Sequence, residues 1–256
     1  DTSNWGLFFG GWYVGDPAHY TPDAPWIQAS APERGLAIRQ AMSLAFDRPA
    51  ILNKVFAGAG MPSRAPFFEF PSNPLTTDAS WPLPAYDVAK AKQLLAQGGY
   101  PNGFEVTVPI YDRAGTGVLE MNEVVASSLE GIGLTVKRLV ADYVGVINPA
   151  IRAKKTAGWM YPVAFSPRDP LVQLQSLMTA ESGTTRMMHP LFTDALARMQ
   201  LEYDESRRWA MMREVEAAMI KNVLAIPLFV GTSPYLVSKK VGSWSPVPGY
   251  REATNL

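Results

Sequence analysis

Apolar residues along this chain repeat with two spacings, one near 3.6 residues and one of 2, and the switches between them lay out alternating helices and strands. From Glu33 onward, Ile38, Ala41, Met42, Ala45 and Phe46 stand at i, i+3, i+4, i+7 and i+8, a single helical stripe. Asp47 before Arg48-Pro49 opens a second helix, because the carboxylate suits an N-cap and proline is tolerated in the first turn. Ile51, Leu52, Val55 and Phe56 carry its stripe, and Gly58 and Gly60 end it. Residues 61–85 are proline-rich and aperiodic, so they read as a long ordered loop. Asp87 caps a third helix that buries Val88, Ala91, Leu94 and Leu95, and Gly98-Gly99 stops it.

The next segment fixes the fold class. After a Pro101-Asn102-Gly103 turn, Phe104, Val106, Val108 and Ile110 alternate as a strand does. A helix over about 118–130 follows, with Met121, Val124, Val125 and Leu129 on one face. Gly131-Ile132-Gly133 breaks it, and Leu134 to Val140 reads as a second strand. Strand, helix and strand in that order form a βαβ unit with parallel strands. A helix over 143–155, a strand over 158–165 and helices over 170–178, 190–203 and 206–222 come next; Met212, Val215 and Met219 share a face of the last. "VLAIPLFVG" at 223–231 is a buried strand, and "YLVSK" is a short one. The expected class is α/β, a mixed sheet flanked by helices.

The first 30 residues hold Trp5, Phe8, Phe9, Trp12, Tyr13, Tyr20 and Trp26, with Phe8 and Phe9 on a short strand. These rings either fill the core or line an exposed pocket.

Composition then narrows the function. Lys+Arg and Asp+Glu both total 23 of 256 residues, so the chain has no basic surplus for nucleic acid. There is no cysteine, which excludes disulfides, thiolate chemistry and Cys-based zinc sites. The apolar runs are shorter than the ~18 residues of a membrane span. The two histidines, His19 and His189, lack a His partner at ligand spacing and fit loop hydrogen bonds better than metal binding or general-base work. "GAG" at 58–60 and "GTG" at 115–117 lack the third glycine of a dinucleotide loop. No nucleophile elbow, P-loop or His-Glu-x-x-His occurs, and no metal or cofactor is expected.

Four segments, "IRQAMSLAFDRPAILNKVFAGAGMP", "YDVAKAKQLLAQGGYPNGFEVTV", "SSLEGIGLTVKRL" and "AIPLF" after "DESRRWAMMREVEAAM", resemble in order and spacing the family 5 solute-binding proteins of ABC transporters, the peptide/nickel-binding class. The resemblance implies a periplasmic-binding-protein-like lobe that traps a peptide or other small solute, an oligosaccharide among them, between two lobes and delivers it to a membrane permease without chemistry. It also implies that residues 1–231 are the second lobe of a protein about twice as long. Residues 232–256 would return toward the first lobe, in a periplasmic or extracellular protein that is monomeric at full length. A carboxylate-based hydrolase and a protein-interaction module are the alternatives.

In peptide-binding relatives of this kind, one segment reads Gly-Trp-x-x-Asp-Tyr-x-x-Pro, its Trp lining the cleft and its first Asp pairing with the peptide amine. Gly158-Trp159 matches the start and Asp169-Pro170 the end of that segment, with about four extra residues between them. The amine-binding acid becomes Ser166 or Pro162, according to which end is aligned, and neither is a carboxylate. The resemblance therefore makes Trp159, Phe165, Ser166, Arg168, Asp169 and Trp12 the candidate ligand-binding residues, with Trp5, Phe8 and Phe9 as weaker ones. Asp169 is either a ligand contact or the N-cap of the helix starting at Pro170.

Overall fold

The computed structural model describes residues 2–66, 69, 78–112, 117–165, 170–180, 182–232, 238 and 240. Six strands and eight α-helices are described: β1 (Thr2–Phe9), α1 (Pro32–Ser43), α2 (Arg48–Val55), β2 (Gly60–Pro62), α3 (Val88–Gln97), β3 (Glu105–Ile110), α4 (Val118–Gly131), β4 (Thr135–Val140), α5 (Asn148–Arg152), β5 (Met160–Phe165), α6 (Pro170–Met178), α7 (Pro190–Met199), α8 (Glu205–Asn222) and β6 (Ala225–Thr232). A π-helical turn at Tyr143–Ile147 leads into α5, so the helix expected over 143–155 is a composite. The proline-rich segment is not all loop, because Gly60–Pro62 adds an edge strand to β6. The strand expected at "YLVSK" lies outside the described residues apart from Ser238.

The βαβ unit forms as expected. β3 and β4 pair in parallel, Glu105 opposite Thr135 through Ile110 opposite Val140, with α4 packed on both. Its entry turn needs glycine, since a Cβ on Gly103 (φ +73°) would lie 2.0 Å from the Gly133 carbonyl oxygen. The other four strands form an antiparallel sheet in the order β2-β6-β1-β5. Thr107 N–H donates to Gly158 O at 2.8 Å and bridges in parallel to Trp159, which joins the two sheets into one mixed layer.

β1 is central, and its two faces explain the aromatic N-terminus. Trp5 stacks on Phe229 at 5.8 Å and tilts against Phe56, while Phe9 packs on Trp26 at 6.1 Å. On the opposite face Phe8 meets the edge of Phe165 at 5.8 Å and also packs on Tyr161. Trp5, Phe8, Phe9, Trp12, Tyr13 and Trp26 are all buried and Tyr20 is half-buried, so the core-filling alternative is the one realised. Full burial of each ring contributes roughly 1.5–3 kcal/mol. Trp5, Phe8 and Phe9 are thus sheet core and offer no free face for a ligand.

The motif arginines are clamps. Arg48 is 1% exposed. It sits at the start of α2, where Asp47 accepts from Ala50 N–H as the cap. Its guanidinium donates to the carbonyls of Pro227 (2.7 Å), Phe46 (3.2 Å), Pro84 (3.3 Å) and Ser43 (3.3 Å). Burial lowers its pKa to about 9, which still leaves a cation at neutral pH. Arg39 donates to Trp26 O and Asn222 O and lies over the Trp12 ring at 4.8 Å. The segment that carries the family resemblance is in this way a set of ties between α1, α2 and the turns into β6.

Candidate functional site

The structure sorts the candidate residues by the ends of the sheet. Trp159 precedes β5 and Phe165 ends it, so six extended residues, about 20 Å, separate them. Trp159 is 8% exposed, its carbonyl accepts from Gly10 N–H at 2.8 Å, and its ring meets Tyr161 edge-on at 6.4 Å. Trp12 lies just past the end of β1 that pairs with the start of β5, 6% exposed, and packs edge-on against Phe9 and His189. Trp12 and Trp159 thus lie at the end of the sheet opposite Phe165. Phe165 is 2% exposed and is the last residue of β5, its ring turned into the core against Phe8. Ser166, Arg168 and Asp169, with the cap-or-contact alternative for Asp169, lie outside the described residues.

Around Phe165 the sheet has a distinctive end. Asn4 pairs with Phe165 on one side and Val230 on the other, and Thr2 stands opposite Thr232. β5 and β6 thus finish where β1 begins. The backbone from Ser63 to Pro66 continues from β2 along β6, Ser63 N–H donating to Leu228 O at 3.1 Å, and passes over Asn4 and Gly6 of β1, held by two fully buried side chains, Asn4 and Glu69. Asn4 Nδ2 donates to Ala65 O at 3.1 Å and to Glu69 O at 3.4 Å. Glu69 Oε2 accepts from the Ser63 hydroxyl at 2.8 Å, from Ala65 N–H at 3.2 Å and from Arg64 N–H. Its Oε1 lies 3.5 Å from Arg64 Nη1, an ion-pair distance without hydrogen-bond alignment. Asn4 Oδ1 and Glu69 Oε1 are buried acceptors without a hydrogen-bond donor among the described residues. Such groups are uncommon in folded proteins. Sequence reasoning missed both; the signal available was an acid embedded among rings in "APFFEF".

The histidines keep structural roles. His19 Nδ1 lies 3.0 Å from Asp16, which also pairs with Lys154 at 2.9 Å. His189 caps α7, its Nδ1 accepting from Leu191 N–H at 3.2 Å. Burial first, then the charge of Arg39, lowers the His189 pKa. The folded state consequently binds this proton less readily than the unfolded chain, and stability falls as pH drops below the unfolded value of about 6.5. Denaturant titrations from pH 7.5 to 5 should show this decline, and His189→Asn, which keeps a cap acceptor but cannot titrate, should flatten it. Among the described residues no group of three or more His, Asp or Glu is placed to hold a metal ion, and no helix is long and apolar enough to cross a membrane.

A helix-flanked mixed lobe of this kind has counterparts among solved structures of periplasmic binding proteins. The chain superposes on the oligopeptide-binding protein OppAIV from Borrelia burgdorferi with a TM-score of 0.72 at 18% identity, covering 98% of this chain and 47% of that one. HbpA2 from Haemophilus parasuis gives 0.66 at 22% identity, covering 90% and 42%. The family profile "Bacterial extracellular solute-binding proteins, family 5 Middle" matches residues 29–184, and the chain belongs to that family. Among curated proteins it is 32% identical over 131 residues to heme-binding protein A of Haemophilus influenzae, covering 50% of this chain and 23% of that protein. It is 37% identical over 71 residues to the glutathione-binding protein GsiB of Escherichia coli K12, covering 28% of this chain and 13% of that protein. The chain thus spans less than half the length of each of these relatives.

Proposed function

We propose that this chain is one jaw of a two-lobed receptor that captures a small solute and presents it to an ABC permease, without making or breaking bonds. The observation that carries this reading is the sheet end where β1 starts and β5 and β6 finish, next to the segment that the family resemblance assigns to ligand. Any chain before Thr2 and the chain after Thr232 leave side by side there, the arrangement a hinge needs if 1–231 is a lobe and 232–256 returns to its partner. Asn4 and Glu69 are fully buried and hold the Ser63–Pro66 backbone rather than meet a guest; the guest proposed is a polar solute, a peptide or an oligosaccharide. Ser166, Arg168 and Asp169 are the contacts proposed, following Phe165 in the chain; Trp12 and Trp159 hold the far end of the lobe.

The test is solute recovery and re-binding with the full-length protein that carries this sequence. Native mass spectrometry identifies the co-purified guest, and calorimetry measures its return. Ser166→Trp should weaken binding by roughly 30-fold or more, about 2 kcal/mol, and Trp159→Phe should leave it within about two-fold. Equal losses from both variants would relocate the site, and absence of any guest together with catalytic turnover would end the receptor reading.

A further inference from the structure

At the start of β6, the end of that strand away from Thr232, lies a cavity of about 330 Å³. Leu44 after α1, Leu94 of α3, Ile220 in the last turn of α8 and Val223 beyond it give its apolar wall. Arg64 and Lys90 also line it, and no carboxylate does. Arg64 turns one nitrogen to Glu69 at 3.5 Å, and Lys90 has no ion-pair partner among the described residues. The cavity therefore combines an aliphatic interior with two cations, a partly exposed Arg64 and an exposed Lys90.

A second, independent observation concerns Val223. It caps α8 in the left-handed region, φ 46° and ψ 52°, a position usually taken by glycine or asparagine. A β-branched residue there costs roughly 1–2 kcal/mol. Backbone strain of this order persists where the surroundings enforce it, and such residues gather at binding sites. Here the strained residue supplies part of the cavity wall, which glycine would leave open.

We propose that this cavity binds a medium-chain aliphatic carboxylate, its tail against Leu44, Leu94, Ile220 and Val223 and its carboxylate between Arg64 and Lys90. The volume lies at the lower end of ligand pockets, roughly 300–1,000 Å³, so it admits one short chain and excludes a two-tailed lipid. The cations select the head group by charge. Ala225 at this cavity and Thr232 at the proposed solute edge are seven strand residues apart, about 23 Å; Arg64, which also pairs with Glu69, touches both regions, so the test variants are placed at Lys90, Ala85, Leu94 and Val223.

Calorimetry on the full-length protein with decanoate, acetate and decyltrimethylammonium tests the assignment. Decanoate should bind saturably, at least about 10-fold more tightly than the cation of equal chain length, with acetate showing no measurable heat. Lys90→Glu should weaken decanoate by about 10-fold or more. Ala85→Trp, at the exposed rim, and Leu94→Trp should abolish binding; if Leu94→Trp fails to fold, Ala85→Trp decides alone. Val223→Gly should raise the unfolding midpoint while lowering affinity, a split that a purely structural valine would not give. Absence of saturable decanoate binding, equal binding of the cationic amphiphile, or binding indifferent to Ala85→Trp each overturns the proposal.

Discussion

Arg48→Met will lower the stability of the fold by about 4 kcal/mol, or roughly 10 °C in Tm for a chain of this size. Methionine keeps most of the aliphatic packing, so the loss isolates the guanidinium. Four carbonyls, those of Ser43, Phe46, Pro84 and Pro227, lose a charged donor, and water has no room to replace it at 1% exposure. Arg48→Lys should recover less than half of the loss, because an ammonium on a flexible stem cannot reach carbonyls spread around a planar fork. Equilibrium urea unfolding of the two variants measures both numbers. A loss under about 1 kcal/mol for the methionine variant would mean that the carbonyls find other donors.

Gly10→Ala will be nearly as damaging, at about 3 kcal/mol or more. A Cβ at Gly10 would sit 1.8 Å from the Thr156 carbonyl oxygen and 2.8 Å from its carbon, and both are backbone atoms that no rotamer change removes. Separating the two segments would also break Gly10 N–H to Trp159 O, Trp26 Nε1–H to Gly10 O and Gly11 N–H to the Thr156 hydroxyl. Those bonds fasten the end of β1 to the start of β5, so the lesion should appear as early amide exchange at Trp159 and Met160. Unchanged exchange there, with wild-type stability, would show that the strand ends tolerate a wider gap.

Much of this architecture was readable from periodicity because the relevant forces are local. Asp47 and Asp87 were recognisable as caps since a cap needs only an acceptor before an apolar repeat, and both accept from the N–H three residues on. The parallel pairing of β3 and β4 followed from the strand, helix, strand order, and the two strands do pair in parallel. β2 was not readable, as three residues in a proline-rich segment have no period and are strand only because β6 lies alongside. The site was less legible than the fold. Aligning on Trp159 grouped it with the turn, but Met160 to Phe165 extend as a strand and carry that ring to the opposite end. The strand over 158–165 was itself legible, so the grouping came from matching a family motif, which carries no long-range geometry. Glu69 was invisible for the same reason: its burial depends on Asn4, 65 positions earlier in the chain.

The central position of β1 governs how this lobe must assemble. Its neighbours are β5 and β6, so Phe9 finds Met160 only after about 150 residues have been added, and Phe8 finds Ala225 after more than 210. Local helices such as α1 and α4 have no such wait, whereas the sheet's spine closes last among non-local contacts and is slow for that reason. Until then a strand bearing Trp5, Leu7, Phe8 and Phe9 lacks its sheet partners, an apolar segment of the kind that aggregates before folding is complete.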